Sequence, residues 1–78
     1  MPVLRLFAAA REAAGTAREE IEGTTVDEVL ANAIERHGDG FGALLPSCRV
    51  WVNGDEVDPS TVLAETDEVA VLPPVSGG

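Results

Sequence analysis

One helix constrains this chain more than any other feature. Thr25 is a good N-cap, Glu28 three residues on completes a capping box, and Gly38 is the stop. Between them Val26, Val29, Leu30, Ala33, Ile34 and His37 recur at helical spacing and form one apolar stripe. Asp27 and Glu28 in the first turn and Arg36 in the last turn suit the helix dipole. A helix that is apolar along one stripe must lay that stripe on another element, and the remaining segments read mostly as strands.

Val3 to Phe7 is apolar with one interruption and reads as a strand. Ala8 to Ala14 is alanine-rich and stopped by Gly15, giving one or two turns of helix. Thr16 to Glu22 fits a short strand. After Gly38, Asp39-Gly40 extends the break and Phe41 to Leu45 adds a short turn before Pro46. Cys48 to Val52 is a strand closed by Asn53-Gly54, a strong hairpin signal, with Glu56-Val57 beginning the return. Asp58-Pro59-Ser60 and Glu65-Thr66-Asp67 are turns on either side of Thr61-Val62-Leu63, and Glu68 to Leu72 is the last strand. One main helix across one face of a mixed sheet of about five strands is an α+β fold, the arrangement of a β-grasp. Residues 1–72 form that domain and residues 73–78 a tail.

Strand alternation assigns the two sheet faces. Leu4, Leu6, Val50, Val52, Val69 and Val71 can meet the helix. Arg5, Phe7, Trp51, Ala70 and Leu72 then point away, so Phe7, Trp51 and Leu72 are expected on the open face as a docking patch. The alternative for Trp51 is that it covers a neighbouring loop.

The tail, Pro73-Pro74-Val75-Ser76-Gly77-Gly78, follows the last strand directly. Paired prolines favour an extended path, and at roughly 3.1–3.4 Å per residue the six residues span about 15–20 Å. Two residues without Cβ then place a carboxylate where a narrow active-site slot can receive it. Such a carboxylate suits activation to an acyl donor by another protein.

The body offers no catalytic constellation. A domain of 78 residues buries roughly 60% of its unfolded surface, which leaves no room for a deep cleft. His37 at a helix end is explained by capping and the dipole. Cys48, the only cysteine, excludes an internal disulfide and reads as a small core or edge residue rather than a nucleophile. No Cys/His spacing fits zinc, and Gly38-Asp39-Gly40 lacks the lysine of a phosphate loop. Fourteen acidic against 5 basic residues give a net charge of −9, which repels nucleic acid and anionic lipid. That charge serves solubility or steering toward a basic partner. With no signal-peptide pattern, no membrane-length apolar run and a single cysteine, a reducing cytoplasmic setting is expected. The chain reads as the presenter of a reactive group, not as an enzyme acting alone.

Three segments together carry a family likeness: Phe7-Ala8-Ala9-Ala10-Arg11-Glu12-Ala13-Ala14-Gly15, the Val52-Asn53-Gly54 turn, and Asp67 through Leu72 with the tail to Gly78. They resemble the MoaD family, the small ubiquitin-like sulfur carriers of molybdopterin synthase. The Phe-Ala…Arg-Glu segment separates this chain from the shorter thiamine sulfur carriers. The resemblance implies that an E1-like, MoeB-like enzyme uses ATP to adenylate Gly78 and that a sulfur donor protein converts it to a thiocarboxylate. The loaded tail then enters a large, MoaE-like subunit and gives sulfur to a cyclic pterin phosphate, making the dithiolene that holds molybdenum or tungsten. Gly78 would react and Gly77 would permit insertion. Phe7, Arg11, Leu72, Pro73, Pro74, Val75 and Ser76 would meet partners, and Trp51 joins them through strand alternation. No cofactor would be bound by this chain. Tails of this kind also serve sulfur carriers for tRNA thiolation or for cysteine and other thio-metabolites. They serve protein modifiers joined through Gly78 to a lysine as well, and an adaptor with an inert tail is the remaining alternative.

Overall fold

A computed structural model describes residues 1–74 of the chain. In order these form β1 (Val3–Leu6), α1 (Ala8–Ala14), β2 (Arg18–Glu20), α2 (Val26–His37) and α3 (Asp39–Leu44). A single 3-10 turn (Leu45–Ser47), β3 (Arg49–Val52), β4 (Asp55–Glu56) and β5 (Glu68–Leu72) complete the order. The five strands make one sheet in the order β2-β1-β5-β3-β4. The central strand β5 is parallel to its neighbour β1, and the other neighbours are antiparallel. This is the ubiquitin-like β-grasp, α+β with a mixed five-stranded sheet.

Alternation decides which residues bury. Leu4 and Leu6 pair in register with Val69 and Val71, which pair in turn with Val52 and Val50. Five of these six are buried, and Val50 is half-buried against the same core. Val26, Val29 and Ala33 of α2 meet them in one cluster that also holds Ala10, Ile21, Phe41 and Leu63. Each fully buried Leu, Val, Ile or Phe contributes roughly 1.5–3 kcal/mol. The loop before α2 approaches so closely that a Cβ on Gly23 would lie 2.6 Å from Val29 Cγ2 and 2.7 Å from Val29 N.

Four local expectations are corrected. The capping box is displaced: Glu28 N–H donates to Thr25 Oγ1 at 3.2 Å, but the Glu28 carboxylate accepts from Thr24 N–H and Thr24 Oγ1 instead of Thr25. The break after α2 is Gly38 alone, because Asp39 already begins α3, which buries Phe41 in the core. Glycine at 42 lets α3 pack close, since a Cβ there would stand 3.1 Å from Ile34. The second strand is shorter than Thr16–Glu22, because the Thr16 hydroxyl turns back onto Arg18. The return strand after the hairpin is only Asp55–Glu56, which excludes Val57.

The Asn53-Gly54 turn forms as its sequence demands, with φ of 50° and 90°. Asn53 also ties the turn to the start of β5, exchanging backbone bonds of 3.0 Å through its N–H and its side-chain oxygen with Glu68.

Candidate functional site

Because β1 and β5 run parallel, both end at the same corner, and the tail leaves from it. Phe7 N–H donates to Val71 O at 3.3 Å, which extends the β1–β5 ladder one step beyond the last strand residue. Phe7 is therefore not a strand residue but the N-cap of α1, in extended backbone at φ −122°. Ala8 then reverses the chain with φ +48°, a left-handed conformation that costs an L-residue roughly 1–2 kcal/mol. The reversal leaves the Phe7 ring 39% exposed beside the exit of β5.

The open sheet face runs in rows. Arg18, Arg5, Ala70, Trp51 and Glu56 pair across all five strands. In the next row toward the tail, Leu72 pairs with Arg49. The Arg5 guanidinium stands 5.6 Å from the centroid of the Phe7 ring and 3.5 Å from Glu68. Arg49 stands 3.5 Å from Glu56. Three arginines (5, 18, 49) thus balance three glutamates (20, 56, 68) on this face. The net side-chain charge of −9 lies entirely on the other surfaces. A face with no net charge amid acidic flanks neither attracts nor repels at long range by itself, although each of its six charged groups would lose hydration on burial.

The structure brings together Phe7, Leu72 and Pro73 at the exit corner, with Trp51 one row back. The expectation of three large apolar groups open to solvent is corrected: Phe7 is exposed, while Trp51 and Leu72 are half-buried. Trp51 pairs with Ala70, and the indole Nε1 is buried with no hydrogen-bond partner among the described residues. Arg11 is exposed one turn into α1, with its N–H directed at Phe7 O at 3.4 Å. Pro73 is half-buried and Pro74 exposed. Val75, Ser76, Gly77 and Gly78 lie outside the described residues.

Two residues of the corner are not identified by sequence pattern. Arg5 is legible as outward-facing, but its place over Phe7 depends on the turn at Ala8. Arg49 reaches the tail root only through the antiparallel β3–β5 register.

Cys48 precedes Arg49 at the same corner and is half-buried. Its thiol donates to Leu44 O at 3.2 Å, and burial pushes its pKa up. At the opposite edge His37 and Arg36 both bind the Glu19 carboxylate. Burial raises the Glu19 pKa, but these hydrogen bonds and charges outweigh it and hold the carboxyl below its usual range. His37 also packs on Phe41, ring centroids 5.4 Å apart, so its role is to pin α2 to β2. Among the described residues no three His, Cys, Asp or Glu side chains converge as metal ligands, and no helix is long and apolar enough to cross a membrane.

Comparison with known proteins agrees with this arrangement. The sulfur carrier subunit of molybdopterin synthase from Chlamydomonas reinhardtii is 34% identical over 77 residues, covering 92% of each chain. The solution structure of small archaeal modifier protein 1 from Methanosarcina acetivorans matches with a TM-score of 0.89 at 28% identity. It covers 99% of this chain and 95% of that one. A chain in the complex of subunits 1 and 2 of molybdopterin-converting factor from Helicobacter pylori matches with a TM-score of 0.72 at 26% identity, covering 99% and 97%. Residues 4–78 match the ThiS family, and the chain belongs to it.

Proposed function

We propose that this chain is the sulfur-carrying subunit of a molybdopterin synthase, working through the carboxylate of Gly78. An E1-like enzyme joins that carboxylate to the AMP of ATP and releases pyrophosphate, turning a poor electrophile into a good one. A sulfur donor protein displaces AMP, and the resulting thiocarboxylate is carried into the large synthase subunit. There its sulfur passes to a cyclic pterin phosphate. Gly77 and the Pro73-Pro74 stem let the end enter a narrow channel, while Phe7, Arg11, Trp51 and Leu72 hold the domain against the partner. ATP belongs to the activating enzyme, and the thiocarboxylate is the one group this chain carries. A cytoplasmic, reducing setting suits a thiocarboxylate.

The observation that carries this reading is the near full-length match to a molybdopterin synthase sulfur carrier. The exposed corner supports it, because β5 leads from that corner straight into the proline stem. Reconstitution tests it. Thiocarboxylated protein, a large synthase subunit and the pterin substrate should yield the dithiolene, and the unloaded protein should not. Equal product from both would refute it.

The likeness to small archaeal modifier protein 1 favours a second reading, conjugation through Gly78 to target lysines. Covalent higher-mass bands on a denaturing gel, dependent on ATP and the activating enzyme, would support that reading. Co-purification with a large synthase subunit supports the first.

A further inference from the structure

The permanently charged basic side chains of this chain are all one kind. Its 5 basic residues are Arg5, Arg11, Arg18, Arg36 and Arg49, and its 78 residues include no lysine. Three of the five ring the corner from which the tail leaves. Arg49 pairs with Leu72, the residue before the stem, and Arg5 pairs with Ala70. Arg11 lies in the last turn of α1, which packs against β5. Six residues have a contour length of about 15–20 Å, which is long enough to span the distance from Leu72 to the side chains of the same corner.

An activated carbonyl within reach of an amine does not stay activated. In the acyl adenylate an ε-amine would attack the Gly78 carbonyl carbon. A C–N bond would form, the C–O bond to AMP would break with AMP leaving, and the amine proton would go to water. A guanidinium stops this at the first step: it keeps its protons at any physiological pH and has no lone pair to offer. The other strong nucleophile at the corner is restrained differently. Cys48 packs half-buried against the core with its thiol donated to Leu44 O. Ser47 Oγ likewise donates to Leu44 O at 2.9 Å.

We infer that the charged terminus of this chain is never discharged onto a side chain of its own surface or of a second copy, so that its side-chain acceptors are supplied by other molecules. The inference rests on the acyl-donor reading of Gly78 and deepens it. A carrier with this surface keeps its charge while moving between partners. It can end a conjugate but cannot be extended into a chain linked through its own side chains.

The test uses the full chain prepared as a C-terminal thioester, in the wild-type form and as Arg5→Lys/Arg11→Lys/Arg49→Lys. Both are incubated at mildly alkaline pH and followed by intact mass. The wild type should only hydrolyse. The lysine variant should give covalent dimers and a cyclised monomer lighter than the free acid by one water, an order of magnitude more adduct than the wild type. Wild-type adducts mapped to any side chain, Cys48 included, would overturn the inference, as would a lysine variant that only hydrolyses. The substitutions keep charge at exposed positions, and circular dichroism checks the fold, with Arg49→Lys alone as the milder variant. ATP–pyrophosphate exchange with an activating enzyme reports separately on the reading beneath: no exchange refutes acyl activation itself, whatever the thioester does.

Discussion

The backbone N–H of Phe7 donates to the carbonyl of Val71 at 3.3 Å, so the residue that opens the first helix is fastened beside the strand that becomes the tail. Everything that reaches a partner from this corner is therefore rigidly placed relative to the root of the stem. On the proposed function, a docking surface fixed in this way gives the tail a defined starting point at Pro73.

Removing the exposed ring should separate docking from folding. Phe7→Ala should lower affinity for a large synthase subunit by about tenfold or more, the cost of losing an aromatic anchor. Its melting temperature should change little, since the ring is 39% exposed. Titration calorimetry and thermal unfolding give the two numbers, and intrinsic fluorescence of Trp51, the only tryptophan, should shift on binding. Unchanged affinity would remove Phe7 from the interface.

A side chain on the last residue should damage loading and leave the body intact. Gly78→Val is expected to melt like the wild type yet remain unloaded by an activating enzyme and sulfur donor, as read by intact mass. One residue added after Gly78 should do the same, because it displaces the carboxylate by about 3.5 Å. Normal loading of either would contradict the narrow-slot argument.

Ala8 offers a test of backbone strain. At φ +48° glycine is the better residue although it is the poorer helix former, because the position is the first of the helix and not in its interior. Ala8→Gly should stabilise by about 0.5–1 kcal/mol, a rise of several degrees in melting temperature for a domain this size. Ala8→Val should do the reverse.

Glu19 gives the acid limb of the stability curve a molecular cause. Its folded pKa is depressed: burial raises it, but the hydrogen bonds and charges of His37 and Arg36 prevail. A depressed carboxyl contributes stability that is full above its unfolded pKa of about 4.3 and is lost as pH falls through the folded value. Glu19→Gln should therefore flatten the decline of urea midpoint below about pH 5 and lower the midpoint near neutrality. An unchanged acid limb would assign it to other carboxylates.

Two glycines should respond in opposite directions to the same methyl. Gly40 lies within α3, where an added Cβ would meet nothing within 4 Å, so Gly40→Ala should stabilise by about 0.5–1 kcal/mol. Gly23 would drive that methyl into Val29, so Gly23→Ala should cost about 1–3 kcal/mol or more. Urea denaturation of the pair checks both.

Local pattern along the chain was enough to settle the main helix, the existence of the five strands and the two sheet faces. A helix with an N-cap and a glycine stop, and strands whose alternation survives an error of one or two residues at either end, are set by interactions within a few residues. Asn53-Gly54 and Gly15 belong to the same group, since their positive φ follows from residue type. Three things came only from the packed molecule: how far Trp51 and Leu72 sink, the burial of Phe41 through a helix that begins at once after Gly38, and which arginines gather round the tail root. Each depends on which strands lie side by side. Putting β5 between β1 and β3 sets Leu72 against Arg49 and Ala70 against Trp51, pairings between residues more than 15 apart in the chain that no local pattern contains.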